Sequence, residues 1–437
     1  MSEQTAQPAT GVDANPIDVL RARGFVQDVT DEAGLRDLFD AGPVTYYVGF
    51  DPTASSLHAG NLVGMMAMAW LQRLGHRPIA LAGGATGRIG DPSGRDTERE
   101  MLDEAVLQAN LDAIRRQLGQ VVDLTEGRGI LVDNHDWTKP LGFLEFLRDV
   151  GKHVSVNAMI ARESVKRRLE SREQGLSFTE FSYQLLQAND YAHLYATHGC
   201  RLQGGGSDQW GNITAGIDLT RRVHGEQVYG LTWPLLTTAD GAKFGKSAGN
   251  AVWLDPELTS PYAYYQYWLN AADADVVRFL KLFTFLDLGE IAELEQRHAA
   301  DPAAREAHRV LAREATRVIH GDAGVEAAER ATGVLFGDQP FGGLDDATLS
   351  AAFEEAPSVV LTRTRLEEGL GVLELLTEVG ASKSNGEARR LVQQGGVRVN
   401  NVVVDDAALQ VGPEHLASDR TVVIRVGKKR YYLARFH

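Results

Sequence analysis

The sequence predicts an α/β protein: a parallel sheet covered by helices, then an all-α stretch, then a small α+β tail. Three observations carry that reading. Through the first 250 residues short β-forming runs alternate with helical runs, the pattern of strands joined by crossover helices. Several of those strands break directly into glycine-rich or polar loops, and in parallel sheets ligands gather beyond the carboxyl ends of the strands. From Pro261 the pattern turns helical and charged, and from Leu370 short helices and strands alternate around tight turns.

The 437 residues exceed one ordinary domain and suit two or three. With 43% hydrophobic and 24% charged residues the composition is that of a soluble globular chain. The single cysteine, Cys200, excludes an internal disulfide and suits a reducing compartment, so a cytoplasmic location is expected. The opening MSEQTAQPATGVDANP lacks the basic-then-apolar signal pattern, and residues 1–15 read as a disordered lead-in. The longest apolar run is broken by Gln72, Arg73, His76 and Arg77, so no membrane partner is expected. The net charge of −15 argues against a generic nucleic-acid binder, but it is uneven. From Leu370 to His437 ten Lys and Arg face seven Asp and Glu, a balance of +3 that leaves −18 on the rest, so local basic patches can still meet nucleic acid.

Pro16 to Ala41 reads as one or two short helices. Tyr46, Tyr47, Val48 and Phe50 are β-formers, and Gly49 with Asp51-Pro52-Thr53 ends their strand. A polar loop then delivers His58, and Gly60-Asn61 opens the helical run LVGMMAMAWLQRL. A loop entering a helix N-terminus offers free N–H groups and positive dipole character, which suit phosphate. Gly60, without a Cβ, lets a flat ligand approach the backbone. Taken alone, the same stretch is equally a strand-loop-helix corner with an exposed histidine. Arg77 to Ala82 is a buried strand that breaks at Gly83 to Gly94, GGATGRIGDPSG, which is either backbone packed on a ligand or a flexible loop. Asp91 is the acid inside it; Arg95 and Arg99 follow and either reach an anion or stay solvated.

Met101 to Leu118 is helical, Ile130 to Val132 is a strand, and Leu141 to Val150 and Asn157 to Glu173 are amphipathic helices. The last has a basic face of Arg162, Lys166, Arg167 and Arg168. In the helix Thr179 to Thr197, Tyr183, Gln187 and Asp190 fall at i, i+4 and i+7, on one face. A hydroxyl, an amide and a carboxylate so stacked need partners when buried, so they face either solvent or a ligand. Their neighbours Phe181, Leu185, Leu186 and Tyr191 limit exposure. Arg201 to Asn212, RLQGGGSDQWGN, repeats the strand, glycine turn, helix pattern. There Ser207 or Asp208 caps the helix Gln209 to His224, or Asp208 grips ribose hydroxyls. Tyr229 to Thr237 gives another strand, and Asp240-Gly241 turns into Lys243-Phe244-Gly245-Lys246-Ser247. Its two lysines either close on a polyphosphate or sit in solvent.

In the order they occur, His58-Ala59-Gly60-Asn61, Gly206-Ser207-Asp208-Gln209 and Lys243 to Ser247 resemble the signatures of the class I aminoacyl-tRNA synthetases. YVGFDPTASSLH, GGATGRIGDPSG, SFTEFSYQLLQANDY, GGSDQWGNITAG and DGAKFGKS are similar to the bacterial tyrosyl branch of that family, over most of the chain. The tryptophanyl branch shares the architecture without this wording. One position departs: the first signature usually ends in histidine and here ends in Asn61, whose amide can donate a hydrogen bond from about where an imidazole N–H would.

The resemblance implies a Rossmann-like catalytic domain at 16–250 with inserted dimerisation helices, an α-helical anticodon-stem domain at 251–337, a linker at 338–369 and an S4-like RNA-binding domain at 370–437. It implies that L-tyrosine attacks ATP to give tyrosyl-adenylate and pyrophosphate, and that tyrosine then passes to the 3′ end of tRNA(Tyr). Thr53, His58 and Asn61 would serve the phosphates from one side, Lys243 and Lys246 from the other, with Arg95 and Arg99 assisting. Tyr47 and Asp190 would hold the phenol hydroxyl of tyrosine, and Asp91, Tyr183 and Gln187 its amino group. Asp51, Gly60, Asp208, Gln209 and Lys246 would bind ATP. Mg2+ would arrive with ATP, with no protein-built metal site and no tightly bound cofactor. Lys383, Arg389, Arg390 and Arg398 are the expected RNA contacts, beside a capping box at Ser384-x-x-Glu387 and turns at Gly395-Gly396, Asn400-Asn401 and Gly427 to Arg430. A homodimer is implied through the helices between Leu141 and Val165, using Phe143, Phe146, Leu147 and Val150. Two rivals differ in what they need. A non-catalytic RNA-binding protein on this scaffold would lose His58 or the lysines, and a nucleotidylyltransferase has no use for the Tyr183/Gln187/Asp190 stripe or the tail.

Overall fold

Two strands of the first half lie side by side where the winding of the sheet reverses, and the crevice opens there. The structure is a computed structural model that describes residues 14–93, 102–161, 165, 166, 169, 175–239, 244–247, 250–336, 344–353, 356–427 and 430–437. The chain divides into two units: Met1–Asp255 with Ala271–Glu314, and Pro256–Asn270 with Ala315–His437.

The first unit carries a six-stranded sheet: β1 (Asp28–Val29), β2 (Thr45–Phe50), β3 (Arg77–Ala82), β4 (Ile130–Asp133), β5 (Leu202–Gly206) and β6 (Tyr229–Trp233), in the order β1-β6-β5-β2-β3-β4. All pairings are parallel except β1 with β6. From β2 the chain winds through β3 to β4 on one side, and later through β5 to β6 on the other. The boundary between β2 and β5 is thus where the winding reverses, and the carboxyl ends of both strands border an uncovered crevice. The sequence missed β1, which is only two residues long, and extended β6 to Thr237. The strand ends at Trp233 because Pro234 has no N–H to give a neighbour.

Alternation along β2 sorts the helices onto two faces. The Tyr46 hydroxyl donates to the carbonyl of Met68 in the helix Ala59–Arg73, while the Tyr47 ring meets Tyr191 of the helix Phe178–His198 at 5.3 Å. The 59–73 helix is apolar nearly all round and is buried from Leu62 to Leu71, as a helix covered on several sides must be. The 178–198 helix begins where the Ser177 side chain accepts the Glu180 N–H and ends at Gly199, with φ +63°. The expected helix 101–118 runs from Glu104 to Val121, and that of 141–150 from Phe143 to Asp149. Of 157–173, the structure describes a helix at Val156–Ile160; Arg162, Arg167 and Arg168 lie outside the described residues.

Arg23 explains why residues 273–300 group with the first unit. It is buried, lies 3.4 Å over the Trp70 ring, and donates to the carbonyls of Lys281 at 3.2 Å and Leu286 at 2.6 Å. Without that guanidinium two carbonyls would lose their donor, a penalty of about 1–3 kcal/mol each if they stay buried.

The second unit holds a five-stranded sheet in the order Val402–Val403, Val397–Val399, Thr421–Val426, Arg430–Phe436, Ser358–Leu361. Its core is the alternation of Val422, Ile424 and Val426 against Leu375, Leu376 and Val392. Asn400 and Asn401 have φ of +46° and +67°, so the expected turn is the tight kind that asparagine tolerates. Ser384 caps the 385–393 helix by accepting the Glu387 N–H, while the Glu387 carboxylate reaches back to the N–H of Lys383 rather than of Ser384. Within 338–369, read as a linker, the described residues form helices at Asp346–Ala352 and Arg363–Glu367 and the edge strand Ser358–Leu361. Strand 358–361 pairs in parallel with 430–436, a long-range pairing that local pattern does not announce.

Candidate active site

The crevice begins at the carboxyl end of β2. His58 is the N-cap of the 59–73 helix: its Nδ1 accepts the N–H of Gly60 at 3.0 Å, and Asn61 Oδ1 accepts the N–H of His58 at 3.1 Å. This reciprocal box fixes two chemical facts. With Nδ1 accepting, the proton of the neutral imidazole sits on Nε2, which is therefore a donor. With Oδ1 accepting, the Asn61 amide keeps its NH2 for a ligand. Gly60 has a reason beyond the expected one, since a Cβ there would stand 2.7 Å from Cε1 of the capping His58 ring.

The late loop closes on the same helix start. Gly245 has φ +84°, and a Cβ on it would lie 2.8 Å from the N of Gly60. The Val252 N–H donates to the Gly245 carbonyl, the Ala59 N–H to the Val252 carbonyl, and the Leu254 N–H to the Leu57 carbonyl. Two signatures separated by most of the domain are thus stitched together by backbone. Lys246 lies in a two-residue strand paired with Asn250–Ala251; Lys243, Arg95 and Arg99 lie outside the described residues.

The crevice continues as a cavity of about 260 Å³. Of the expected residues, Tyr47, Asp51, Thr53, Gly60, Asn61, Asp91, Tyr183, Gln187, Asp190, Asp208 and Gln209 all line it. The Tyr183/Gln187/Asp190 stripe faces this cavity, not solvent. At its deepest point Asp190 is 2% exposed and Tyr47 1% exposed. Asp190 accepts from Asn134 Nδ2 at 3.0 Å on one oxygen and from Trp137 Nε1 at 2.9 Å on the other. Burial outweighs those two bonds and pushes the Asp190 carboxyl up to about 7. Burial, reinforced by the nearby Asp190 charge, also holds the Tyr47 phenol far above its usual range, so it stays protonated. Among the described residues the Tyr47 hydroxyl and the Gln187 Oε1 are buried without a hydrogen-bond partner.

Above them runs one continuous polar chain. Asn134 donates to Asp190 and to Thr86 Oγ1, Thr86 donates to Asp51 Oδ1 at 2.7 Å, and the Tyr183 hydroxyl donates to Asp51 Oδ2 at 2.8 Å. Across the cavity Gln209 Nε2 donates to Asp91 Oδ2 at 2.6 Å, and Asn212 donates to Gln209 Oε1 at 3.0 Å. Neither Ser207 nor Asp208 caps the following helix. Residues 207–209 form a single 3-10 turn and the helix starts at Trp210 behind Gln209, which makes no side-chain cap bond. Sequence reasoning missed Asn134, Trp137, Thr86, Gln203 and Trp233. A strand followed by Asn134-His135-Asp136-Trp137 was the available signal, since a polar-aromatic run past a strand's carboxyl end is placed to reach a ligand crevice.

Among the described residues one group has the spacing to hold a cation: Asp273, His298 and His308. None of the three lines the cavity. His308 Nε2 already meets the Ala271 carbonyl at 3.0 Å and Asp273 at 3.3 Å. Of the tail residues, Lys383, Arg389 and Arg390 are exposed on or beside one helix, while Arg398 is half-buried and donates to the Asn401 carbonyl.

Known proteins resemble this chain over nearly its whole length. Residues 40–337 match the family model of tRNA synthetases class I (W and Y), and residues 348–434 that of a tyrosine–tRNA ligase SYY-like C-terminal domain. The chain is 50% identical over 419 residues to the tyrosine–tRNA ligase of Rhodopirellula baltica, covering 95% of each chain. It is 52% identical over 418 residues to that of Nocardia farcinica, covering 94% of this chain and 96% of the other. A crystal structure of a C-terminally truncated mitochondrial tyrosyl-tRNA synthetase from Aspergillus nidulans superposes with a TM-score of 0.68 at 35% identity, covering 75% of this chain and 95% of that one. The chain belongs to the class I tRNA synthetases. Within them, its half-identical relatives across nearly the whole length put it among the tyrosine–tRNA ligases.

The buried carboxyl makes a testable signature. An acid whose folded pKa lies above its ordinary 3.8 binds its proton more tightly in the native state, so its contribution to stability is present at low pH and lost as pH rises toward about 7. The stability of Asp190→Asn relative to the parent should therefore increase across that window and level off above it. Urea-unfolding midpoints of both proteins through the window check this, and a constant difference would contradict the burial argument.

Proposed function

We infer that the protein activates L-tyrosine with ATP to tyrosyl-adenylate and pyrophosphate, then transfers tyrosine to the 3′ end of tRNA(Tyr). The observation that carries the tyrosine assignment is the deep pair Tyr47 and Asp190. A phenol hydroxyl arriving there donates to the Asp190 carboxylate, beside Asn134 and Trp137, and accepts from the Tyr47 hydroxyl, which otherwise has no partner. Asp91, Tyr183 and Gln187 are assigned to the amino group at the other end of the stripe. Asp208 and Gln209 are assigned to the nucleoside, with Asp51 and Gly60.

The attacking tyrosine carboxylate is already ionised, so the first step needs no general base. It needs alignment, and donors for the charge that develops on the departing pyrophosphate. Thr53, His58 through Nε2–H, and Asn61 through its NH2 are assigned to that side, and Lys243 and Lys246 to the other, with Arg95 and Arg99 assisting. Mg2+ is assigned to ATP as part of the substrate. The tail is assigned to tRNA through Lys383, Arg389, Arg390 and Arg398. Cytoplasmic residence is supported by the one buried cysteine, Cys200, and by the absence, among the described residues, of a helix long and apolar enough to cross a membrane.

The function is tested by exchange of radiolabelled pyrophosphate into ATP with each amino acid in turn; exchange with tyrosine is expected, and its absence would refute the assignment. Phenylalanine would leave the buried Tyr47 hydroxyl unpartnered and offer Asp190 no donor beyond Asn134 and Trp137, which costs more than a lost contact. Tyr47→Phe should accordingly raise the KM for tyrosine while leaving the feeble use of phenylalanine unchanged. Equal effects on both amino acids would reverse the orientation assigned to the substrate.

The tail is tested by charge. Replacing Lys383, Arg389 and Arg390 together with alanine should lower kcat/KM for tRNA charging by about tenfold or more and flatten its salt dependence, because each lost phosphate contact reduces counterion release. Pyrophosphate exchange should not change. Charging unaffected at physiological salt would remove the tail from the tRNA interface.

A homodimer is supported by an apolar surface that no described residue covers: Phe143 is 70% exposed and Leu144 78%, with Leu147, Val156, Ile160 and Phe178 also exposed. Phe146 and Val150, expected on that surface, pack inward against Ala188, Ala192 and Leu219 instead. Light scattering at micromolar concentration should give twice the chain mass, and Phe143→Asp with Leu144→Asp should give the monomer. A monomeric parent would overturn this assembly.

A further inference from the structure

The side of the cavity toward the 59–73 helix is closed by one indole, and two glycines are shaped around it. Trp233 ends β6 opposite Gly206 and is 8% exposed, yet it lines the cavity. A Cβ on Gly64 would stand 3.0 Å from its Cζ2, and a Cβ on Gly204 would stand 2.9 Å from its Cζ3 and 3.3 Å from its Cη2. Glycine is a poor choice in both places, since Gly64 lies inside a helix and Gly204 inside a strand. Neither has a left-handed backbone that would demand glycine. In both places the ring supplies the nearest atom.

Strand alternation says which part of the ligand the indole meets. Val48 and Phe50 share the face of β2 opposite Tyr47; Val48 Cγ2 lies 3.2 Å from the Cβ position of Gly204, and Phe50 Cε1 3.7 Å from that of Gly64. Gly64 follows Gly60 by one helical turn on the same side. Trp233 therefore sits between the start of the 59–73 helix and the turn that carries Asp208, across the sheet from the Tyr47–Asp190 slot. We propose that Trp233, seated in the space left by Gly64 and Gly204, is the apolar wall against which the nucleoside of ATP packs, and so sets ATP affinity independently of tyrosine affinity. This rests on the site reading given above, which places phosphates and ribose on this side.

The test is a double-mutant cycle on the full-length protein, read by exchange kinetics, by equilibrium binding of ATP and by thermal melting. Trp233→Leu is expected to raise the KM and Kd for ATP about tenfold while the KM for tyrosine stays within about twofold, the size of one lost aromatic contact. Gly204→Ala is expected to weaken ATP in the parent, where the new Cβ drives the indole into the cavity. In the Trp233→Leu background the same change should weaken ATP far less, since only the 3.2 Å approach to Val48 Cγ2 is left to relieve. Unchanged ATP affinity in Trp233→Leu and in Gly204→Ala, with only melting temperature moved, would make the indole a structural plug and overturn the proposal. So would equal effects of Gly204→Ala in both backgrounds. Should Trp233→Leu not fold, Gly204→Ala with Trp233→Phe decides by the same comparison. A parent that binds ATP but shows no tyrosine-dependent exchange would instead count against the function, and the ATP-binding arm would still judge the wall.

Discussion

The constraint on which the rest depends is the position of β2. It lies where the sheet's winding reverses, with β3 on one side and β5 on the other, so no crossover connection covers its carboxyl end. A parallel sheet must otherwise be buried on both faces. The uncovered place is therefore small, fixed, and supplied by every loop that leaves a neighbouring strand. Asn61, Asp91 and Asp208 reach it from beyond the ends of β2, β3 and β5, and Asp190 reaches it from the 178–198 helix that covers the Tyr47 face.

A crevice dug into a sheet has to seat polar groups where water is scarce, and the molecule handles this with a connected network. Asp190, Asn134, Thr86, Asp51 and Tyr183 are joined link by link, and with Trp137 they give each carboxylate oxygen of Asp190 and Asp51 a donor. The network stops short at Tyr47 and Gln187, whose buried atoms have no partner among the described residues. A buried polar atom without a partner is unfavourable by about 1–3 kcal/mol. Tyr47, Gln187 and Gln203 each bring such an atom to the lining of the cavity, where a polar ligand can complete them.

Glycine does different work here from what loop flexibility suggests. A Cβ at Gly83 would stand 2.0 Å from Asp51 Oδ1, and one at Gly84 would stand 2.1 Å from Asp133 Oδ1. These residues are small so that carboxylates of the network and of the Arg115–Asp133 ion pair can lie flat against the backbone. Gly60, Gly64 and Gly204 make room for a histidine ring and an indole in the same manner. At these positions glycine makes room for side chains, while Gly49, Gly60, Gly64, Gly204, Gly205 and Gly206 also line the cavity themselves.

The sequence by itself determined a great deal. Runs of β-formers located the central strands, because a parallel sheet is buried on both faces, and the 3.6 period located most of the amphipathic helices. Motif wording identified the family, since phosphate and ribose chemistry restricts which residues can stand at a helix start or past a glycine turn. Spacing alone put Tyr183, Gln187 and Asp190 on one stripe. Tertiary structure decided the rest. Only the fold sends that stripe into a cavity instead of solvent, because orientation depends on which helix covers which face of the sheet. The edge pairing of Asp28–Val29, and of Ser358–Leu361 with Arg430–Phe436, joins residues far apart in sequence and leaves no local pattern. Asn134 and Trp137 show nothing in the sequence that ties them to Asp190, because hydrogen bonding across 56 and 53 positions is written in space and not along the chain.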